Sequence, residues 1–248
     1  MEITSLALAT ELALAQTRGT VVDRGGYIRV ETPDEPGWSD GNLLALPHAP
    51  APADVPRWID TFRHELGEHR AVSLRWDEPT GERYAELEVD TYELMLAGEV
   101  LAPPHSLPTR ELAPDELALT AELAFAIGDR HDDAYHQFLR RRARWHEQLV
   151  GELGARFFGA FDRDQLVASL GLVPLGAVAR YQDVQTSATH RRRGLAGSLL
   201  ATAARAFPQV SRFAILAEAG SDATRVYTRV GFTMRERCAR AYTTRRTS

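Results

Sequence analysis

The chain has 248 residues, a net charge of −5 at pH 7, 44% apolar residues and 25% charged residues. These values are ordinary for globular domains, and the length suggests one large or two small domains. The acidic balance argues against a protein built to hold nucleic acid or an anionic membrane. No run approaches the roughly 18 apolar residues that would cross a bilayer.

The absence of some residue types, and the rarity of others, excludes several kinds of catalytic and metal-binding site. The chain has no Lys, which excludes a Schiff-base lysine and a Walker-type phosphate lysine. Cys238 is the single cysteine, so a disulfide framework and a cysteine-based zinc site are excluded, and a reducing cytoplasm fits. His131, Asp132, Asp133 and His136 lack closing ligands, and no metal is expected.

The chain is predicted to begin with a short helix. Residues 3–15 are apolar enough to raise the question of a signal peptide. Glu2 and Glu11 interrupt the run, however, and no basic residues precede it. A helix is therefore the preferred interpretation.

A proline-rich segment predicts the domain boundary. Three prolines fall within residues 101–108, where they cannot continue a helix or a central strand. We therefore predict one domain over residues 1–104 and a second over residues 105–248, both of ordinary size.

The second part is predicted to have the element order β-α-α-β-β-β-α-β-α-β. The evidence is apolar periodicity, with Asp162 to Asp164 as a hairpin turn. The predicted strands are 109–112, 155–161, 166–173, 177–186, 213–217 and 233–243, and the predicted helices start near 114, 133, 194 and 222.

The segment 184–197 predicts a phosphate-binding loop between a strand and a helix that opens at Gly194. The first amides of a helix have no intrahelical acceptor and carry partial positive charge. Gly194 and Ala196 leave that backbone open to a pyrophosphate, and Arg191 adds charge for it. A solvated basic helix start is the alternative.

The loop resembles the GCN5-related N-acetyltransferase (GNAT) superfamily. The family pattern is Gln or Arg, two residues, Gly, one residue, then Gly or Ala, which Arg191, Gly194 and Ala196 match. The sequence from Tyr227 to Phe232 resembles a second family motif, Tyr-x-x-Leu/Val-Gly-Phe. The resemblance covers roughly residues 108–243. It implies an α/β (α+β) GNAT fold, with a mixed central sheet flanked by helices.

The resemblance also implies a co-substrate, acetyl-CoA, and no metal. The implied cofactor contacts are Val184, Gln185, Thr186, Arg191, Arg192, Arg193, Gly194, Leu195, Ala196, Gly197 and Ser221. Many members carry an Asn near the pantetheine where this chain has Ser221 and Asp222. That contact therefore departs from the family pattern.

Acetyl transfer to an amine needs a donor for the developing oxyanion and a proton for the leaving thiolate. The resemblance implies a backbone amide within 184–186 as the donor and Tyr227 as the general acid. A phenol with a pKa near 10 is protonated at neutral pH and can donate to a thiolate whose pKa is about 8.5. Packing beneath the last helix is the alternative role for Tyr227.

The general base is less well defined. Asp183 matches an acidic residue that meets the acceptor amine in several small-amine members, and Glu218, at the end of the next strand, is a second candidate. A solvated strand carboxylate is the alternative for Asp183. The run Arg140 to Arg144 is interpreted as a solvated helix face, and an anionic acceptor or a partner is the alternative.

The first part of the chain repeats a residue spacing found in the second part. Tyr84 follows Val72 by twelve residues, as Tyr227 follows Ile215. This offset predicts a degenerate GNAT-like half, that is, a tandem protein of two GNAT-like units. No glycine-rich loop precedes its helix, so a second acetyl-CoA site is not expected. An unrelated α/β domain over the acceptor cleft is the alternative.

The sequence thus predicts an acetyl-CoA-dependent N-acetyltransferase that acts on a primary amine of a small molecule or peptide. A homodimer is compatible with it, whereas nucleic-acid and membrane partners are not expected. The rival hypothesis is a GNAT-fold sensor that binds acyl-CoA without turnover.

Overall fold

The computed structural model describes residues 3–105 and 107–243. The chain forms two compact units, the first from residues 1–94, 216–220 and 234–248, the second from residues 95–215 and 221–233. The predicted division at residues 104 and 105 differs from this arrangement, because the chain returns to the first unit twice. A domain boundary predicted from local composition cannot show that later segments rejoin the first unit, because this depends on strand pairing between residues far apart in the sequence.

The first unit contains two helices and most of six strands. They are α1 (Leu6–Gln16), β1 (Thr20–Asp23), β2 (Ile28–Glu31), β3 (Leu43–Ala45), α2 (Val55–Leu66), β4 (Ser73–Asp77), β5 (Glu88–Ala97) and β11 (Thr233–Tyr242). The helix predicted at the start of the chain is confirmed as α1, whose N-cap Ser5 accepts a hydrogen bond from the Leu8 amide at 3.1 Å.

The second unit contains four helices and the remaining strands. They are β6 (Thr109–Glu111), α3 (Ala118–Ile127), α4 (Asp133–Leu153), β7 (Arg156–Asp162), β8 (Gln165–Leu175), β9 (Val178–Thr186), α5 (Leu195–Arg205), the start of β10 (Phe213–Glu218) and α6 (Asp222–Arg229). The element order predicted for the second part of the chain is confirmed. Short 3-10 turns lie at Ser39–Gly41, Pro52–Asp54, Pro114–Glu116 and Ala188–His190.

The sheet of the first unit is mixed. Strands β1, β2 and β3 are antiparallel, β3 is parallel to β4, and β4 is antiparallel to β11. Leu43 and Ala45 pack with α1, whereas Leu44 packs with α2. Because side chains alternate along a strand, the two helices cover opposite faces of β3.

The sheet of the second unit is also mixed. Strands β6 to β9 are antiparallel, and β10 is parallel to β9. Arg156 donates to the carbonyl of Ala206 at the end of α5, whereas the neighbouring Phe157 stacks on His146 of α4. The helices α4 and α5 therefore cover opposite faces of β7.

Two irregularities shape strand β9. Gln182 pairs with Gly171 and Gln185 with Ser169, so two residues, Asp183 and Val184, face a single residue of β8. This is a β-bulge, a feature that re-aims side chains next to functional sites. Within residues 107–215, β9 also pairs with β10 only at Ala179 and Arg180, so the later part of β9 has no partner on that edge in this segment.

No helix within residues 3–105 and 107–243 combines the length and the apolarity that crossing a bilayer requires.

Candidate active site

The predicted phosphate loop connects β9 to α5. After the 3-10 turn at residues 188–190, Arg192 and Gly194 adopt positive φ angles of 63° and 77°, and α5 begins at Leu195. Gly194 is the N-cap and has no side chain, and the first turn of α5 contains no acidic residue. The first amides of α5 therefore present uncompensated positive charge to an anion.

Exposed cations surround this helix end. Arg191, Arg192 and Arg193 are exposed, and Ala196 is half-buried. Two polar contacts hold the loop in place. His190 Nε2 lies 3.0 Å from Asp162 Oδ2, and Arg191 Nε donates to the Thr186 carbonyl at 3.3 Å. The arrangement fits a pyrophosphate bound by backbone amides and guanidinium groups.

The two glycines of this loop also serve the packing of the chain itself. A Cβ on Gly194 would lie 2.5 Å from the carbonyl oxygen of Pro104, and a Cβ on Gly197 would lie 2.8 Å from Pro103 Cγ. The proline-rich segment can approach α5 only because these positions are glycine. Their place in the motif therefore has a packing cause in addition to access for phosphate.

A cluster of three charged or titratable side chains lies at the β9 bulge. Arg142 Nη2 donates to Asp183 Oδ1, and His146 Nε2 lies 2.8 Å from Asp183 Oδ2. Asp183 has a positive φ of 51°, which Asp tolerates better than most residues. The bulge thus turns the Asp183 carboxylate toward α4.

The Asp183 carboxyl is ionised in this cluster. Burial by itself would raise the pKa of Asp183, but the Arg142 guanidinium and the hydrogen bond with His146 outweigh burial and hold this pKa well below its usual range. Only 4% of the His146 side chain is exposed. Its ring stacks on Phe157, with the ring centroids 4.4 Å apart. Its Nδ1 is buried and has no hydrogen-bond partner among the described residues.

The cluster forms the polar end of a cavity of about 260 Å³. Helices α3 and α4 supply most of the lining residues, and β9 supplies others at its bulge and just beyond it. The lining residues are Thr120, Ala121, Ala124, Ile127, Gly128, Tyr135, Leu139, Arg142, His146, Asp183, Val184 and Gln185. Gln185 is held by hydrogen bonds from its Nε2 to Ser169 Oγ and the Thr120 carbonyl, at 2.8 and 3.1 Å.

The structure therefore brings together Asp183, Val184 and Gln185, three of the predicted site residues, around one cavity. Tyr227 lies on α6, is 6% exposed and packs near Phe232. Burial raises the pKa of Tyr227 to about 12. Ser221 is the N-cap of α6 and accepts from the Thr224 amide at 3.4 Å. Glu218 is exposed at the end of β10.

Arg142 and His146 were not predicted as site residues, and for Arg142 the interpretation as a solvated helix face is wrong. Arg140 does fit that interpretation, because it pairs with the exposed Glu122 at 3.3 Å. The available signal was spacing: positions 135, 139, 142 and 146 form one stripe of α4, and all four line the cavity. The sequence does not show that this stripe of α4 faces β9, and the contact between them forms the cluster.

A comparison with models of known protein families finds a similarity over less than half of the chain. Residues 119–232 match the sequence model of the acetyltransferase (GNAT) family. A comparison with curated protein sequences gives no significant match.

Several solved structures share the fold. A GCN5-related N-acetyltransferase from Kribbella flavida has a TM-score of 0.67 and 19% identity, over 98% of this chain and 96% of that chain. A conserved protein of unknown function from Staphylococcus epidermidis has a TM-score of 0.72 and 11% identity, over 91% and 94%. A tandem GNAT protein from the clavulanic acid biosynthesis pathway has a TM-score of 0.53 and 17% identity, over 80% and 74%. At these identities the similarity shows the fold alone. That fold is the predicted mixed α/β fold.

Proposed function

We propose that this protein transfers an acetyl group from acetyl-CoA to a primary amine, because residues 119–232 match the sequence model of the acetyltransferase (GNAT) family. The observation that carries the proposal is the start of α5, which offers unpaired amides, a glycine N-cap and three exposed arginines to a pyrophosphate. The cavity at the β9 bulge supplies a place for the acceptor beside the same strand.

The residues present fit the cofactor. Amides of Leu195, Ala196 and Gly197, with Arg191 to Arg193, would hold the phosphates. Acetyl-CoA supplies an activated thioester. An amide of the unpaired part of β9, within Val184 to Thr186, would stabilise the developing oxyanion. The Ser221 hydroxyl already accepts a hydrogen bond within its helix cap, which leaves its hydroxyl proton for a contact with the cofactor.

In this proposal one group transfers a proton and another binds the acceptor amine. Tyr227, with a pKa of about 12, keeps its proton at neutral pH and serves as the general acid for the leaving thiolate. Asp183 receives the acceptor amine, and its ionised state, maintained by Arg142 and His146, suits that role. Glu218 is the remaining candidate for the base, since the lowered pKa of Asp183 makes its carboxylate a weak proton acceptor.

The test is release of coenzyme A thiol from acetyl-CoA in the presence of a panel of primary amines, together with calorimetric binding of coenzyme A. Turnover with at least one amine supports the enzyme. Tight binding without thiol release from any amine would support the rival, a GNAT-fold sensor.

The first unit fits a degenerate repeat of the same fold. Its order α1-β1-β2-β3-α2-β4, with three antiparallel strands and then a parallel crossover, equals the order α4-β7-β8-β9-α5-β10 of the second unit. Residues 78–87 are irregular where the second unit has α6. The start of α2 carries Asp54 as N-cap and Pro56, which has no amide hydrogen. A pyrophosphate would be repelled there.

A further inference from the structure

The cavity at the β9 bulge contains an ion pair, and this limits the acceptors that fit it. Asp183 and Arg142 pair directly, with 18% and 31% of their side chains exposed. A polycation such as a polyamine would meet one carboxylate whose charge is already balanced. An anion would meet a guanidinium that is balanced in the same way.

A zwitterion is the ligand whose charges complement such a pair. Its ammonium can approach Asp183 while its carboxylate approaches Arg142, so that each protein charge gains a partner and the net charge of the site is unchanged. Among the residues that the structure describes, the Arg142 guanidinium pairs only with Asp183, through Nη2. A guanidinium has five N–H donors, so donors remain for a ligand carboxylate.

The cavity is small and has an aliphatic part. Ala121, Ala124, Ile127 and Leu139 supply this aliphatic lining. The volume of about 260 Å³ lies below the roughly 300–1,000 Å³ typical of sites for drug-sized ligands. The aliphatic lining can therefore accept one aliphatic or aromatic side chain, and larger acceptors such as peptides would have to extend outside the cavity.

We propose, on the basis of the proposed function, that the acceptor is a small amino acid with an apolar side chain, whose amine contacts Asp183 and whose carboxylate contacts Arg142. His146 acts as a positioning residue: its Nε2 is engaged by Asp183 and its Nδ1 is enclosed, so it orients the carboxylate without touching the acceptor.

The test compares leucine with two ligands that share its side chain, leucinamide and 3-methylbutylamine, and with the polyamine spermidine. Calorimetric binding to the full-length protein is measured without coenzyme A, and KM is measured with acetyl-CoA. Hydrogen bonds between charged groups predict that leucine binds about tenfold to a hundredfold more tightly than leucinamide. Equal binding of leucine and leucinamide, or tighter binding of spermidine than of leucine, would overturn the proposal.

Two matched variants test whether the preference for leucine over leucinamide depends on Arg142. Arg142→Lys keeps the charge and loses the planar fork, so the preference for leucine over leucinamide should fall at least threefold. Arg144→Lys changes an exposed residue of the same helix outside the cavity, and the preference should stay unchanged. An unchanged preference in Arg142→Lys contradicts the proposal.

The two proposals fail separately. If coenzyme A binds and thiol is released with other amines, without preference for leucine, only the assignment of an amino acid as acceptor is contradicted. If leucine binds in a way that depends on Arg142 but coenzyme A does not bind, the acetyltransferase proposal is contradicted and the zwitterion site is supported.

Discussion

At the scale of single residues, Tyr227 has two roles that its environment allows, packing and proton transfer. Tyr227→Phe keeps the ring beside Phe232 and removes the hydroxyl. General acid catalysis is typically worth about 10²–10⁴-fold, so we expect kcat to fall by that factor while the affinity for coenzyme A stays unchanged. Steady-state kinetics and calorimetry measure both.

A second buried tyrosine provides the control for this variant. Tyr181→Phe also removes a buried hydroxyl, one that donates to the Leu200 carbonyl at 2.7 Å, and should leave kcat within about threefold. If both variants lower kcat equally, Tyr227 is a packing residue. Since the pKa of Tyr227 is raised to about 12, loss of its proton should not reduce kcat below pH 10.

The Asp183 cluster makes a prediction about stability and pH. The folded-state pKa of Asp183 lies below its ordinary value of 3.8, so its ion pair stabilises the fold above that value and loses this contribution as the pH falls through the lowered pKa. Asp183→Asn should therefore cost about 1–3 kcal/mol in free energy of unfolding at pH 7, and less at about pH 2.5, between the ordinary and the lowered pKa. Chemical denaturation at both pH values measures the difference. A cost that does not change with pH would mean that the ion pair is not its source.

At the scale of elements, the start of α5 can be tested without disturbing its packing. Gly194→Val would combine loss of phosphate access with a strained positive φ and a clash with Pro104, so its effect would be ambiguous. Ala196→Asp instead places an acid in the first turn, which favours the helix by about 0.3–1 kcal/mol, but it repels phosphate. We expect coenzyme A affinity to drop at least tenfold, about 1.4 kcal/mol, with no loss of thermal stability.

Ala196→Asn is the matched control, because the side chain has the same shape without the charge. Its coenzyme A affinity should stay within about threefold of the unmodified protein. Equal losses for the two variants would indicate a steric effect and would argue against a phosphate at this helix end.

The elements of the second part were predictable because each is encoded locally. Apolar periodicity located α4, and the Asp162 to Asp164 turn located the β7–β8 hairpin. The site was predictable only in part. Asp183 came from the family resemblance, but its partners lie 37 and 41 residues away along the chain. A bulge in β9 decides which way Asp183 points, and no residue type in the sequence marks it.

At the scale of the whole molecule, the return of the chain to the first unit predicts the outcome of truncation. A protein beginning at His105 would keep β11 without β4, its antiparallel partner. Ala239 and Ala241 would lose the cluster that contains Leu74 and Trp76. We expect such a fragment to aggregate and to bind hydrophobic dyes, as light scattering and fluorescence would show. A soluble, monomeric and active fragment would contradict this.

The comparison of the two helix ends predicts one coenzyme A per chain. The start of α5 offers amides and no acid, whereas the start of α2 has Asp54 as N-cap and Pro56 within its first turn. Calorimetry on the full-length protein should give a stoichiometry of one, because an acid and a missing N–H remove what a phosphate needs. Ala196→Asp should then weaken the single binding event and leave no other event of unchanged affinity. A stoichiometry of two, or a binding event of unchanged affinity in that variant, would show that the first unit also binds coenzyme A and is not degenerate.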